Sequence, residues 1–292
     1  LMQLATQHSA VNRIRQALRD RDLEAILLTS IDSVQWATGF SGSSGVAIVT
    51  TSDGAFLTDS RYTIQAQEQV KDLPSVIQVP GTSQLDFIKG ELSRLGVTRV
   101  GFEANAVQYQ SYLDWTSALA PIELVPVNQF VGPLRCVKSP KEIEIIRRAC
   151  QMADACAEHV VQMIRTGVTE WDINLEIEFF FRKRMAEIAF EPIVVSGARS
   201  ARPHGRASDK RLESGDFLTL DFGCKVDGYC SDITRSFVIG EASERHATIY
   251  NQVLKANVAA IEAIRPGVSG KAIDQVARDV LAEADLAQYF GH

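Results

Sequence analysis

Asp221 and Asp232 sit on either side of a short turn in the run Phe217-Leu-Thr-Leu-Asp-Phe-Gly-Cys-Lys-Val-Asp-Gly-Tyr-Cys-Ser-Asp-Ile-Thr-Arg-Ser-Phe237. Asp227-Gly228 is a strong signal for a two-residue hairpin turn, because such turns need backbone conformations that Asp and Gly tolerate. With that turn, Asp221 pairs opposite Thr234 and Asp232 lies diagonal to it on the same face. With the turn one residue earlier, the two aspartates are directly opposite. Any two-residue loop leaves both on one face and sends Leu218 and Leu220 to the other. Neighbouring carboxylates repel, and buried ones must protonate or find a cation. A divalent ion solves both problems, and a pair of ions bridged by carboxylates can activate water and polarise a carbonyl. Oxygen shells, with or without imidazole, suit Mn²⁺, Co²⁺ or Zn²⁺. The hairpin alone reads equally well as two solvated aspartates on an exposed sheet face.

The elements around the hairpin fall into two blocks. Val11, Ile14 and Leu18 have helical spacing, and Ala25–Leu28 is a short apolar run expected as a buried strand. Val46–Thr50 and Ala55–Thr58 flank Ser52-Asp53-Gly54, a hairpin signal. A helix is expected over residues 62–70, strands over 76–79 and 99–102, and a helix over 85–95 between them. Strands alternating with helices predict a layered α/β domain. The stretch Thr38-Gly-Phe-Ser-Gly-Ser-Ser-Gly45 lacks the Lys and the strand–helix context of a phosphate loop, so it is read as a turn. Val131-Gly132-Pro133 is read as a break, placing the boundary near residues 130–138: residues 1–132 form one domain and 133–292 the other. Ser139-Pro-Lys-Glu142 then reads as a capping box opening a long amphipathic helix with Ile146, Ala149, Ala153, Val160 and Ile164 on one stripe.

The second block repeats itself. Ile164-Arg-Thr-Gly-Val-Thr169 recurs as Ile264-Arg-Pro-Gly-Val-Ser269, and Ile173 and Ile273 keep the register. Each copy is expected to end one helix at its Gly and cap the next at Thr169 or Ser269. The first copy is followed by strands at 193–196, 217–223 and 229–239. The second reaches only Phe290-Gly-His292, so the chain is expected to be a piece of a longer protein.

Bulk properties narrow the function. The chain has 292 residues, net charge −6 and an apolar share of 46%, and it carries no basic stripe of a nucleic-acid binder. No apolar run reaches the roughly 18 residues of a membrane span, and the opening Leu1-Met-Gln-Leu4 leads into polar sequence with no signal-peptide core. The five cysteines, Cys136, Cys150, Cys156, Cys224 and Cys230, are odd in number and have no CxxC spacing. Reduced thiols in a cytoplasmic protein are the expectation. His8, His159 and His246 are expected as surface side chains.

The motif Asp221-Phe-Gly…Gly228-Tyr…Ser231-Asp-Ile-Thr-Arg235 resembles the first two metal-ligand positions of the pita-bread metallopeptidases. The segment Ile193-Val-Val-Ser-Gly-Ala-Arg-Ser-Ala-Arg-Pro-His-Gly205 is similar to the strand and loop that present a substrate-side His there. Tyr289-Phe-Gly-His292 resembles the start of their HGxGH segment, and Thr38–Ser43 with Asp59-Ser-Arg-Tyr62 resembles a creatinase/prolidase-type N-terminal domain. The resemblance covers nearly the whole chain and favours the Xaa-Pro dipeptidase and aminopeptidase P branch. It implies a two-domain α/β fold: a creatinase-like domain over 1–132 and an incomplete, duplicated α+β pita-bread domain over 133–292. It implies that Asp221 ligates a metal, Asp232 bridges two, and Thr234 orients a carboxylate. His204 and His292 would act on the substrate beside two divalent ions. The remaining ligands, a second His and two Glu residues, would lie beyond residue 292, which leaves this chain itself with weak metal occupancy. The implied reaction is hydrolysis of the Xaa-Pro bond at a peptide N-terminus, the partner a peptide with proline second, and the assembly a homodimer. A metal-free creatinase-like hydrolase and a non-catalytic peptide-binding module are the competing readings.

Overall fold

Ala25–Leu28 is apolar at every position because both of its faces are covered. The computed structural model describes residues 9–291, and the chain divides into two units that part between Ile145 and Ile146. In the first unit, β1 (Ala25–Leu28) lies inside a six-stranded sheet with β2 (Val46–Thr50), β3 (Gly54–Thr58), β4 (Ser75–Ile77), β5 (Arg99–Glu103) and β6 (Glu123–Val127), in the order β4-β3-β2-β1-β5-β6. The β1–β2 and β2–β3 pairs are antiparallel, whereas β1–β5, β3–β4 and β5–β6 are parallel. Ile26 and Leu28 face one core with Val11, Ile14 and Leu18 of α1 (Ala10–Asp20). Ala25 and Leu27 face another with Ile88 and Leu92 of α4 (Gln84–Arg94). Two covered faces remove the polar alternation a one-sided strand would show.

The helices α2 (Ile31–Thr38), α3 (Thr63–Gln69) and α5 (Tyr109–Leu119) complete this unit with α6 (Val131–Cys136). The last is a correction: Val131-Gly-Pro133 does not break the chain but opens a helix. Proline lacks an N–H, yet in a first turn that N–H has no partner inside the helix, so nothing is lost. Phe130 and Val131 are buried in the α1-side core.

The second unit takes its helices from the two repeats. Ser139 and Glu142 form the expected reciprocal cap at the head of α7 (Pro140–Val161), with Ser139 N–H donating to Glu142 at 2.7 Å. Thr169 caps α8 (Glu170–Lys183) in a capping box with Asp172, and Ser269 caps α10 (Gly270–Ala282). The other half of that expectation is corrected. α7 ends at Val161, and α9 (Glu244–Ala263) ends before Ile264. Gly167 and Gly267 instead hold matching turns at φ +91° and +89°, a left-handed conformation that favours glycine.

Six strands follow α8: β7 (Glu187–Ile188), β8 (Ile193–Ser196), β9 (Phe217–Phe222), β10 (Cys224–Val226), β11 (Tyr229–Cys230) and β12 (Ile233–Val238). They form two small sheets, β8-β9-β12 and β7-β10-β11. Val194, Leu218, Leu220 and Phe222 are buried, and α8 packs on β8 with Ile177, Phe180 and Phe181 in the core. On α9, Tyr250, Val253, Leu254, Val258 and Ile261 are exposed.

Candidate active site

The register of β9 and β12 pairs Asp221 with Thr234, as the Asp227-Gly228 turn requires. Both turn residues have positive φ, +48° at Asp227 and +87° at Gly228. The pairing Val226–Tyr229 in the outer part of the hairpin continues in phase to Phe222–Ile233, so Gly223 falls opposite Asp232. The strands nevertheless break there. Gly223, Ser231 and Asp232 lie outside the ladders, and the hairpin passes from one small sheet to the other. A Cβ at Gly223 would stand 1.9 Å from the Ser231 carbonyl oxygen and 3.3 Å from Asp232 Cα. The strand carrying Asp232 therefore approaches the strand carrying Asp221 as closely as only glycine permits. Ser231 holds the crossing: its N–H donates to Cys224 O at 2.9 Å, and its buried hydroxyl accepts from Cys224 N–H at 3.1 Å.

Leu218, Leu220 and Phe222 point into the core while Phe217, Thr219 and Asp221 face the open side, as the alternation of the strand predicts. Asp221 is half-buried, and its Oδ1 is buried with no hydrogen-bond partner among the described residues. Burial, and after it the neighbouring Asp232 carboxylate, push the Asp221 carboxyl above the ordinary range; a hydrogen bond from Thr234 and the charge of His204 pull it back. The balance is upward, so the isolated pair resists ionisation at Asp221. Asp232 is exposed.

His204 reaches this neighbourhood from a loop. β8 ends at Ser196 and runs into a 3-10 turn over Gly197–Ala201. Gly205 N–H donates to Arg202 O at 3.0 Å, closing a turn around the exposed His204. The loop lies tight on β8, since a Cβ at Gly205 would meet Val195 Cγ1 at 2.7 Å. His292 and His8 lie outside the described residues. His159 and His246, read from sequence as plain surface side chains, have local tasks. His159 contacts Glu176 at 2.6 Å, and His246 Nδ1 accepts from Ser243 N–H in the capping box of α9.

Two adjacent carboxylates, one with an orphaned buried oxygen, are a donor set suited to a hard divalent cation. Among the described residues no group of three or more His, Cys, Asp or Glu side chains converges as a metal shell. The pair fits part of a shell. Gly223 and Ser231 stand in the motif, but the sequence assigned neither a task, and it did not single out Glu170, which bonds both ends of the His204 loop. Their signal is backbone proximity and burial, which residue type alone does not carry.

Comparison with known proteins places these features in company. Residues 144–292 match the metallopeptidase family M24, and residues 11–137 match the creatinase/prolidase N-terminal domain. The chain is 38% identical over 283 residues to the uncharacterized peptidase YqhT of Bacillus subtilis, covering 97% of this chain and 80% of that protein. It is similar to the solved structure of an Xaa-Pro dipeptidase from Bacillus anthracis, with TM-score 0.92 and 39% identity over 97% of this chain and 79% of that one. An X-Pro aminopeptidase from Thermotoga maritima matches at TM-score 0.86 and 33% identity, over 94% of this chain and 79% of that one.

Proposed function

From a chain that belongs to metallopeptidase family M24, we propose a metal-dependent peptidase that hydrolyses the bond between a first residue and a following proline. The observation that carries the reading is the Asp221–Asp232 pair: two carboxylates held on one face across a glycine-only approach, with a buried Asp221 oxygen lacking a hydrogen-bond partner among the described residues. The relatives named as Xaa-Pro dipeptidase and X-Pro aminopeptidase support the substrate class.

Asp221 and Asp232 would both serve as ligands to two divalent ions, Mn²⁺, Co²⁺ or Zn²⁺. When bound, such ions polarise the scissile carbonyl and lower the pKa of water. The chain's own residues do the rest of the work visible here. Thr234, paired with Asp221 across the strands, would orient its carboxylate. His204, exposed on its loop, would hydrogen-bond the substrate carbonyl oxygen and stabilise charge developing there. His292 would support the substrate as well. The buried Leu218–Leu220–Phe222 row locks the strand beneath Asp221.

The boundary between the creatinase-like and peptidase domains is proposed near residue 132, and a homodimer in the cytoplasm is proposed with it. All five cysteines are free, as a reducing compartment requires. No helix among the described residues is long and apolar enough to cross a membrane. A metal-free hydrolase of the same fold would leave the Asp221–Asp232 pair without a task. The test is a matched panel of dipeptides and tripeptides with proline or alanine second, assayed with Mn²⁺ and with EDTA. Cleavage restricted to proline substrates and abolished by EDTA is expected. EDTA-resistant cleavage, or equal rates on alanine substrates, would overturn the reading.

A further inference from the structure

The carboxylate of Glu170 is fully buried at the first position of α8. It faces the two ends of the His204 loop. Ser196, at the end of β8, donates to Oε1 from its N–H at 2.7 Å and from its hydroxyl at 2.9 Å. Ser208, on the far side of the loop, donates to Oε2 from its N–H at 3.1 Å and its hydroxyl at 2.7 Å. Arg199, inside the loop, donates from Nε to Oε2 at 3.1 Å. The Arg199 guanidinium then reaches past Glu170 and donates to the Arg206 carbonyl at 2.6 Å. His204 lies within the segment so bracketed.

A buried charge is costly unless every lone pair is engaged. Here one carboxylate accepts from five donors on three loop residues, each bond charge-assisted and geometrically demanding. The backbone of α8 reinforces the same contact: Glu170 N–H donates to Lys210 O and Trp171 N–H to Ser208 O, both at 3.0 Å. A surface loop of this length ordinarily keeps much of its backbone freedom. This one has its two ends fastened to a single anion that cannot move without unfastening both.

We infer that Glu170 is the positioning residue of this site: it clamps the Ser196–Ser208 loop so that His204 is presented at a fixed place relative to Asp221. The inference rests on the reading of His204 as a substrate-side group, and the test separates the two. Glu170→Gln keeps the shape but removes the charge and turns one acceptor into a donor facing Ser196 or Ser208. Amide hydrogen exchange and steady-state kinetics on an Xaa-Pro dipeptide are measured for this variant, for His204→Ala and for the double variant. In Glu170→Gln, exchange over residues 197–207 should rise at least about tenfold while residues 217–238 stay protected. Its kcat should fall about 10- to 100-fold with KM changed far less, as misplacement of a transition-state group predicts. The double variant should be no slower than His204→Ala, because two residues acting as one unit are not additive. Unchanged exchange over 197–207 overturns the clamp. Multiplicative losses in the double variant overturn its action through His204. Full activity of His204→Ala defeats the reading of His204, while the exchange result still decides the clamp. If Glu170→Gln does not fold, Ser208→Ala, which removes one hydroxyl bond, should raise exchange in the same segment; no rise there counts equally against the clamp.

Discussion

Replacing Gly223 with alanine tests how the two aspartates are brought together. The added methyl would stand 1.9 Å from the Ser231 carbonyl oxygen, 2.7 Å from its carbonyl carbon and 3.3 Å from Asp232 Cα. Every one of these is backbone, so no side chain can swing aside. To reach even about 3 Å of carbon–oxygen separation, the Ser231–Asp232 segment must retreat by roughly 1 Å, the scale of displacement that overpacked cores resist. The retreat also strains the Ser231–Cys224 bonds at 2.9 and 3.1 Å. Overpacking costs about 1–3 kcal/mol and each of the two weakened hydrogen bonds about 0.5–1.5 kcal/mol, so a loss of about 2–6 kcal/mol is expected. Equilibrium urea denaturation reads that loss as a lower midpoint at unchanged slope. A displacement of this size in a catalytic carboxylate also costs about 100-fold in rate. The assay pairs the denaturation curve with Mn²⁺ titration of the folded variant, which should bind more weakly than wild type. An alanine variant with wild-type stability and wild-type Mn²⁺ affinity would refute the idea that the close approach at Gly223 sets the spacing of Asp221 and Asp232.

Other outcomes follow from the same structure. Because the folded-state pKa of Asp221 is raised, its contribution to the metal-free protein is fully present below the unfolded carboxylate pKa and is lost as pH rises through the folded value. Melting curves in EDTA should therefore show wild type losing stability relative to Asp221→Asn as pH increases from about 4, and saturating Mn²⁺ should reverse the order at neutral pH; parallel curves would count against the desolvated carboxylate. Cys136, Cys150 and Cys230 are exposed, whereas Cys156 and Cys224 are buried and burial pushes the Cys156 thiol up to about 12. Native alkylation at pH 8, read by mass spectrometry, should label the exposed three and spare Cys156 and Cys224 until denaturant is added. Ser139→Ala removes the acceptor for Glu142 N–H and should destabilise by about 1 kcal/mol, measured by urea unfolding.

How much of this was legible beforehand depended on whether the signal was local. The Asp227-Gly228 signal named one of the two registers left open, the one that pairs Asp221 with Thr234, because turn chemistry and side-chain alternation are properties of adjacent residues. The caps at Ser139, Thr169 and Ser269 were readable for the same reason. β6 escaped notice: Pro126 argues against a strand, but this is the sheet edge, where proline is tolerated. α2 lies between the expected strand and the Gly/Ser stretch, where no element is expected from sequence, although Ser30 caps it and Gly39 ends it in the left-handed conformation. At the site, Asp221 and Asp232 stood out by type and spacing, and His204 entered only through the family resemblance. Glu170 did not stand out, since a Glu at a helix start reads as a dipole partner in solvent. Only the fold shows that it is buried beneath a loop remote in sequence.

The central claim is that Asp221, paired with Asp232, holds divalent metal for cleavage at proline. Its most direct test is kcat/KM on an Xaa-Pro dipeptide for Asp221→Asn against wild type, both at saturating Mn²⁺. Metal activation of this kind supplies several kcal/mol of transition-state stabilisation, and each 1.4 kcal/mol or so is tenfold, so a loss of about 100-fold or more is predicted in a variant that still folds. Cleavage by Asp221→Asn at the wild-type rate would contradict the account.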